Sequence, residues 1–235
     1  MTLPTYMPDF NKFQKTIGYS FKNERLLLTA FTHRSYLNEN RASGREHNER
    51  LEFLGDAVLE LVVTEFLFAK YPDKPEGDLT AYRAALVNTV SISDAATKLS
   101  MNDFLLLSRG EARDTGRARS IILANAFEAL IGALYLDAGY VTAKDFIAKN
   151  IFYKTDDVVA KRLWQDAKSK LQEMAQDKSG ATPAYELVSQ TGPDHDKRFV
   201  IAVTIAGQRA ALGEGRSKQE AEQDAAQKAL AARGW

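Results

Sequence analysis

Three carboxylates stand close together in the segment NERLEFLGDAVLELVV: Glu49, Glu52 and Asp56. Their spacing, i, i+3 and i+7, aligns them along one stripe of an α-helix. Leu51, Leu54, Val58 and Leu61 fall mostly on another face and are expected to be buried. Three acids on one stripe repel at neutral pH unless water or a cation neutralises them. Taken alone, such a stripe is most often a solvated face. Gly55 adds a second signal. Inside a helix it costs about 1 kcal/mol relative to alanine, which points to the close approach of another helix at this turn. Gly132, in FEALIGALYLD, makes the same suggestion for a second helix, with Glu128 one turn before it. Two tightly packed helices, each offering acids beside a glycine, can bring several oxygen ligands together.

The rest of the composition narrows the chemistry. The 235 residues include no cysteine, so disulfides and thiolate metal sites are excluded. Three scattered histidines do not make a zinc site, and carboxylates favour magnesium or manganese. His33, in FTHRSY, is expected to pack or cap a helix, and His47 to lead into one. Formal net charge is zero, which argues mildly against nucleic-acid binding, so local charge placement has to supply any such affinity. The N-terminus does not read as a signal peptide, and no stretch approaches the ~18 consecutive apolar residues of a membrane helix. The expectation is a cytoplasmic protein without a membrane partner.

The elements that must position these acids are helical. From about Phe10 to Tyr153, apolar residues recur with period 3.6 in LLLTAFTH, LEFLGDAVLELVVTEFLFAKY, LTAYRAALVNTVSISDAATKL and ILANAFEALIGALYLDAGY. Breaks are expected at 38–44, 72–77 and 109–116. After Asp166 the pattern changes. DAKSKLQEMAQDK predicts a helix with Leu171, Met174 and Ala175 on one face; AYELVSQTG, KRFVIAVTIAG and QRAALGEG alternate like strands; SKQEAEQDAAQKALAARGW is a helix with Ser217 as N-cap. The fold class expected is therefore multidomain: an all-α domain over 1–153, a stretch over 154–164 that is a linker or the tail of the last helix before it, and a small α+β (α-β-β-β-α) domain over 165–235.

NERLEFLGDAV closely resembles the signature of the ribonuclease III family, and the likeness extends through ILANAFEALIGALYLD into the C-terminal region. The resemblance implies a double-stranded-RNA endonuclease, acting as a homodimer that forms one valley for the duplex with a metal cluster at each end. It makes Glu52, Asp56 and Glu128 the metal ligands, with Asp56 and Glu128 catalytic, and places Glu49 and Glu76 as acids near the site. The implied cofactor is Mg2+, with Mn2+ able to substitute. Where the family usually has Asp, this chain has Asn125, which keeps a carbonyl oxygen for a metal or a water but loses the charge. A tolerated variant, a weaker metal site and an inactivated enzyme are the competing readings; the intact Glu52, Asp56 and Glu128 favour an active enzyme. Residues near Phe53 and Leu54 are expected at the partner interface.

The C-terminal region resembles a double-stranded-RNA-binding domain, a class that reads A-form shape across two minor grooves and the intervening phosphates. Gln172, Glu173 and Gln176 would face one minor groove, and His195, in TGPDHDK, the next. Arg216, Ser217 and Lys218 would meet phosphate at a helix N-terminus. Lys218 stands largely alone beside Gln219 and Glu222, so modest, salt-sensitive affinity is expected. In SRGEARDTGRARS, Arg109 matches a family position near the RNA, while Arg113, Arg117 and Arg119 are candidates for phosphate contact. Ribosomal RNA precursor processing and messenger RNA turnover are the typical roles in the family. A regulator that binds without cutting, and a helical dimerisation scaffold with purely solvated acids, are the alternatives.

Overall fold

The computed structural model describes residues 7–41, 44–162, 164–193 and 196–235. The chain divides into two compact units, Met1–Trp164 and Gln165–Trp235.

The first unit is built from helices α1 (Phe10–Ile17), α2 (Glu24–Ala30), α3 (Arg34–Glu39), α4 (Glu49–Lys70), α5 (Glu76–Leu86), α6 (Thr89–Lys98), α7 (Arg117–Ile151) and α8 (Thr155–Ala160). Its helix starts follow from local chemistry: the side chains of Asp9, Asn23, His33 and Asn88 each accept a backbone N–H of the first turn. The run LTAYRAALVNTVSISDAATKL, continuous by period, is two helices. Asn88 bonds the Ser91 N–H at 2.9 Å and starts α6 afresh after α5 has ended. Among the described residues of this unit, β-type pairing is limited to an isolated bridge between Thr32 and Leu106.

α4 and α7 lie against each other at the centre. α4 buries Leu51, Val58, Leu59, Val62, Val63 and Leu67, and α7 buries a near-continuous run from Ile122 to Leu134. Leu61, expected inside, is 52% exposed, because Val62 and Val63 occupy the inward arc instead. α7 is long and apolar enough to pass for a membrane span, yet 61% of its most apolar window is buried inside the unit. Gly139, at φ 81°, interrupts it near its middle.

The stretch 154–164 is not a free linker. Thr155 and Val158 of α8 are buried, and the Trp164 ring lies 5.1 Å from Tyr82 in an edge-on contact. Removing these apolar groups from water ties the stretch to the helical unit, with α8 against α5.

The second unit runs α9 (Ala167–Ser179), β1 (Ala184–Thr191), β2 (Arg198–Ile205), β3 (Gln208–Gly215) and α10 (Lys218–Arg233). The sheet is antiparallel in the order β1-β2-β3, with Leu187 opposite Ile201 and Ile201 opposite Gly213. Leu171 and Ala175 of α9, Val203 and Ile205 of β2, and Ala225, Ala226, Ala229 and Leu230 of α10 form its core, with Met174 packed against them. The expected α-β-β-β-α order is what folds.

Candidate active site

The two glycines are where α4 and α7 cross. A Cβ on Gly55 would stand 1.7 Å from the Glu128 carbonyl oxygen, and one on Gly132 would stand 2.3 Å from the Leu51 carbonyl oxygen. Only glycine at both positions lets the two backbones approach this closely. The crossing sets Glu128 of α7 beside Glu52 and Asp56 of α4.

Electrostatics confirm the proximity. Glu128 is largely withdrawn from water, and burial, followed by the charges of Asp56, Glu52 and Glu60, raises its pKa from 4.5 to about 7. Glu52 is raised as well, by burial first and then by Glu49 and Asp56, while a hydrogen bond from Asn125 pulls it the other way. Asn125 is therefore part of the group: it lies beside Glu52 as a neutral amide, where an ionised aspartate would add a like charge.

The stripe on α4 continues one turn beyond Asp56. Glu60 lies at i+4 from Asp56 and acts on Glu128. Its partner is Arg83 of α5, whose Nε stands 2.7 Å from Glu60 Oε2. At the other end, Glu49 lies 3.6 Å from Arg34 Nη1 and 3.7 Å from His47 Nδ1. The four-residue spacing could have revealed Glu60; Arg34 and Arg83 come from other helices, and no local pattern marks them.

Three acids repelling one another in a half-buried setting suit a hard divalent cation with oxygen ligands. Among the described residues, no three acidic or histidine side chains already converge at ion-holding distance. The donor chemistry fits such an ion. Glu76 stands apart, at the first turn of α5, where it accepts a 2.9 Å hydrogen bond from Thr80 and lines a separate pocket with Thr64, Lys74 and Arg83. His33 caps α3, its Nδ1 accepting from the Ser35 N–H.

Around the Arg-rich loop, Arg109, Arg113 and Arg117 have exposed side chains. Arg119 is committed to the fold instead: its guanidinium donates to the carbonyl oxygens of Glu111 and Asp114 and to Asn102 Oδ1. Phe53 is 81% exposed beside a pocket of about 760 Å3 lined by Leu26, Leu51, Leu54 and Leu136 among others.

In the second unit, Gln172, Glu173 and Gln176 are exposed on α9. Arg216, Ser217 and Lys218 are exposed where β3 turns into α10. Gly213 and Gly215 allow that turn to sit against the helix, since a Cβ on Gly213 would stand 2.1 Å from the Ala225 nitrogen. Ser217 Oγ accepts the Glu220 N–H, and Glu220 accepts the Arg216 N–H. His195 lies outside the described residues.

Residues 23–155 match the family described as Ribonuclease-III-like, and residues 167–232 match the double-stranded RNA binding motif. The chain is 48% identical to proteins named Ribonuclease 3 from Bacillus velezensis and Geobacillus thermodenitrificans, over 94% of its length and 89% of theirs. The helical unit is also similar to a crystal structure of the nuclease domain of ribonuclease III from Campylobacter jejuni. That structure, described in terms of flexibility in a region involved in dimer formation, gives a TM-score of 0.55 at 44% identity, covering 60% of this chain and 98% of that one. Acids brought together at a glycine crossing, and an RNA-binding motif later in the chain, fit those relatives, and the chain belongs to the ribonuclease III family.

Proposed function

We propose that this protein hydrolyses double-stranded RNA endonucleolytically, with Glu52, Asp56 and Glu128 holding Mg2+ (or Mn2+ in its place) and Asn125 adding a neutral carbonyl oxygen. The observation that carries this reading is the group of mutually repelling carboxylates at the crossing of α4 and α7, in a chain that also bears a double-stranded RNA binding motif. A divalent cation bound there would supply Lewis acidity for activating water and stabilising the leaving 3′-oxygen. The residues of the chain do the rest. Asp56 and Glu128, fixed on two rigid helices, hold the reacting geometry. Glu49 and Glu76 supply negative charge at the margins.

Hydrolysis of this kind leaves 5′-phosphate and 3′-hydroxyl ends and needs no pair of catalytic histidines. Gln172, Glu173 and Gln176, together with Arg216, Ser217 and Lys218, read the duplex by shape and phosphate, and His195 is a further RNA-contacting residue of the same reading. Arg109 adds a contact from the helical unit. The protein works as a homodimer, so that two such sites act on one duplex. The cellular reading that goes with this is cytoplasmic processing of ribosomal RNA precursors and turnover of messenger RNA.

The test is a long duplex RNA incubated with the protein, with and without Mg2+. Cleavage that requires the ion is expected. RNA that is retarded but uncut would favour a second reading, an RNA-binding regulator without cleavage, for which Asn125 is the specific observation.

A further inference from the structure

Four of the acids of α4 form one line: Glu49, Glu52, Asp56 and Glu60, at i, i+3, i+7 and i+11. Their environments differ along it. Each end is met by an arginine from another helix, Glu49 by Arg34 of α3 and Glu60 by Arg83 of α5. The middle pair, Glu52 and Asp56, faces Glu128, and Glu52 lies beside a neutral amide, Asn125.

The two ends are not equal. Arg34 is largely exposed and stands 3.6 Å from Glu49, a contact that water screens. Arg83 makes a closed arrangement: Nε to Glu60 Oε2 at 2.7 Å and Nη1 to Thr64 Oγ1 at 2.9 Å, while the Thr64 hydroxyl donates to the Glu60 carbonyl at 2.6 Å. Two donors of one planar guanidinium are thus engaged on successive turns of α4. Glu60 is held by its side chain and by the turn that carries it.

We propose that Arg83 is a positioning residue of the catalytic centre: it holds and neutralises Glu60, so that cation binding is confined to Glu52, Asp56 and Glu128. Released from Arg83, the Glu60 carboxylate becomes a further anionic oxygen beside Glu128, one turn from Asp56. It then offers a divalent cation a competing place at the wrong end of the stripe. This inference rests on the function proposed above, and the wild-type controls separate the two.

Mn2+ binding to the RNA-free protein is measured by electron paramagnetic resonance, alongside kcat and KM for a duplex RNA with Mg2+. Arg83→Ala is expected to add a weak Mn2+ site and to lower kcat about tenfold, the scale of lost support around a metal ligand, with KM nearly unchanged. Arg83→Lys restores part of the activity, because the charge that neutralises Glu60 returns while the second donor to Thr64 does not. The decisive variant is Glu60→Gln combined with Arg83→Ala: removing the freed charge restores wild-type Mn2+ stoichiometry and kcat.

The proposal is overturned if Arg83→Ala binds Mn2+ and cuts RNA as the wild type does. It is equally overturned if the double variant stays as impaired as Arg83→Ala, since Arg83 would then act through folding or RNA contact. A rise in KM alone would assign Arg83 to RNA binding and also refute it. Wild-type protein that neither binds Mn2+ nor cleaves duplex RNA would instead refute the proposed function itself.

Discussion

Glu128 is held between two demands: burial favours its protonated form, and cation binding requires the carboxylate. Its pKa, raised from 4.5 to about 7, has a defined consequence for stability. The unfolded chain releases this proton near pH 4.5 and the folded chain near pH 7. Between those values the folded state binds more protons, so stability falls as pH rises through this window. The raised Glu52 acts in the same direction. Urea denaturation of the cation-free protein between pH 4.5 and 7 is expected to show this decline, and Glu128→Gln to flatten it. Parallel curves for the two proteins would contradict it. Asn125 gives a second prediction of the same kind. Asn125→Asp puts a like charge beside Glu52, at a cost of about 2 kcal/mol in cation-free protein. With Mg2+ present, the extra anionic ligand lowers the half-saturating concentration about tenfold. Thermal melts without cation and a Mg2+ titration of cleavage check the two halves.

At the scale of elements, the distance between α4 and α7 decides whether the acids meet at all. Gly132→Ala places a methyl 2.3 Å from the Leu51 carbonyl oxygen, a backbone atom that a rotamer change cannot move. The helices must separate, with an expected loss of about 3 kcal/mol and a fall in Tm of roughly 8 °C. Calorimetry measures the fall, and an unchanged Tm would show that the crossing is looser than described. Because the same movement carries Glu128 away from Glu52 and Asp56, Mg2+-dependent cleavage is lost as well, even below the melting temperature. The analogous close packing of Gly213 and Gly215 on α10 explains why GEG precedes Arg216, Ser217 and Lys218. Those glycines hold the turn that presents the three exposed residues.

At the scale of the whole molecule, an 81% exposed Phe53 on the helix that carries the clustered acids calls for a partner. In a twofold dimer the same residue contributes from both copies, so a single substitution removes two contacts. Phe53→Ala is expected to shift the protein from dimer to monomer in sedimentation at micromolar concentration. Since the side chain is exposed within its own chain, the fold of each copy is retained, which circular dichroism checks. A dimer of unchanged affinity would remove Phe53 from the interface. The neutral net charge also acts at this scale. With no basic excess to concentrate RNA, affinity depends on a few placed residues, and in the proposed dimer two copies would act together.

Much of this protein was legible in the sequence, because its signals are periodic or local. The stripe of acids, the glycines of the crossing, the strand alternation and Ser217 as N-cap all follow from residue types at short spacings. The tertiary structure decided whatever depends on residues far apart in the chain. It put Leu61 outside, gave 154–164 to the helical unit through Val158 and Trp164, and spent Arg119 on its own loop rather than leaving it for phosphate. It also set the neutral Asn125 beside Glu52, and brought Arg83 from α5 onto Glu60. The physical reason is common to these cases. Helical periodicity says which residues share a face, but burial and charge depend on what packs against that face. The sequence alone determined that acids line a helix; only the packing of α3, α5 and α7 around it decided which acids are neutralised by arginine and which face Glu128.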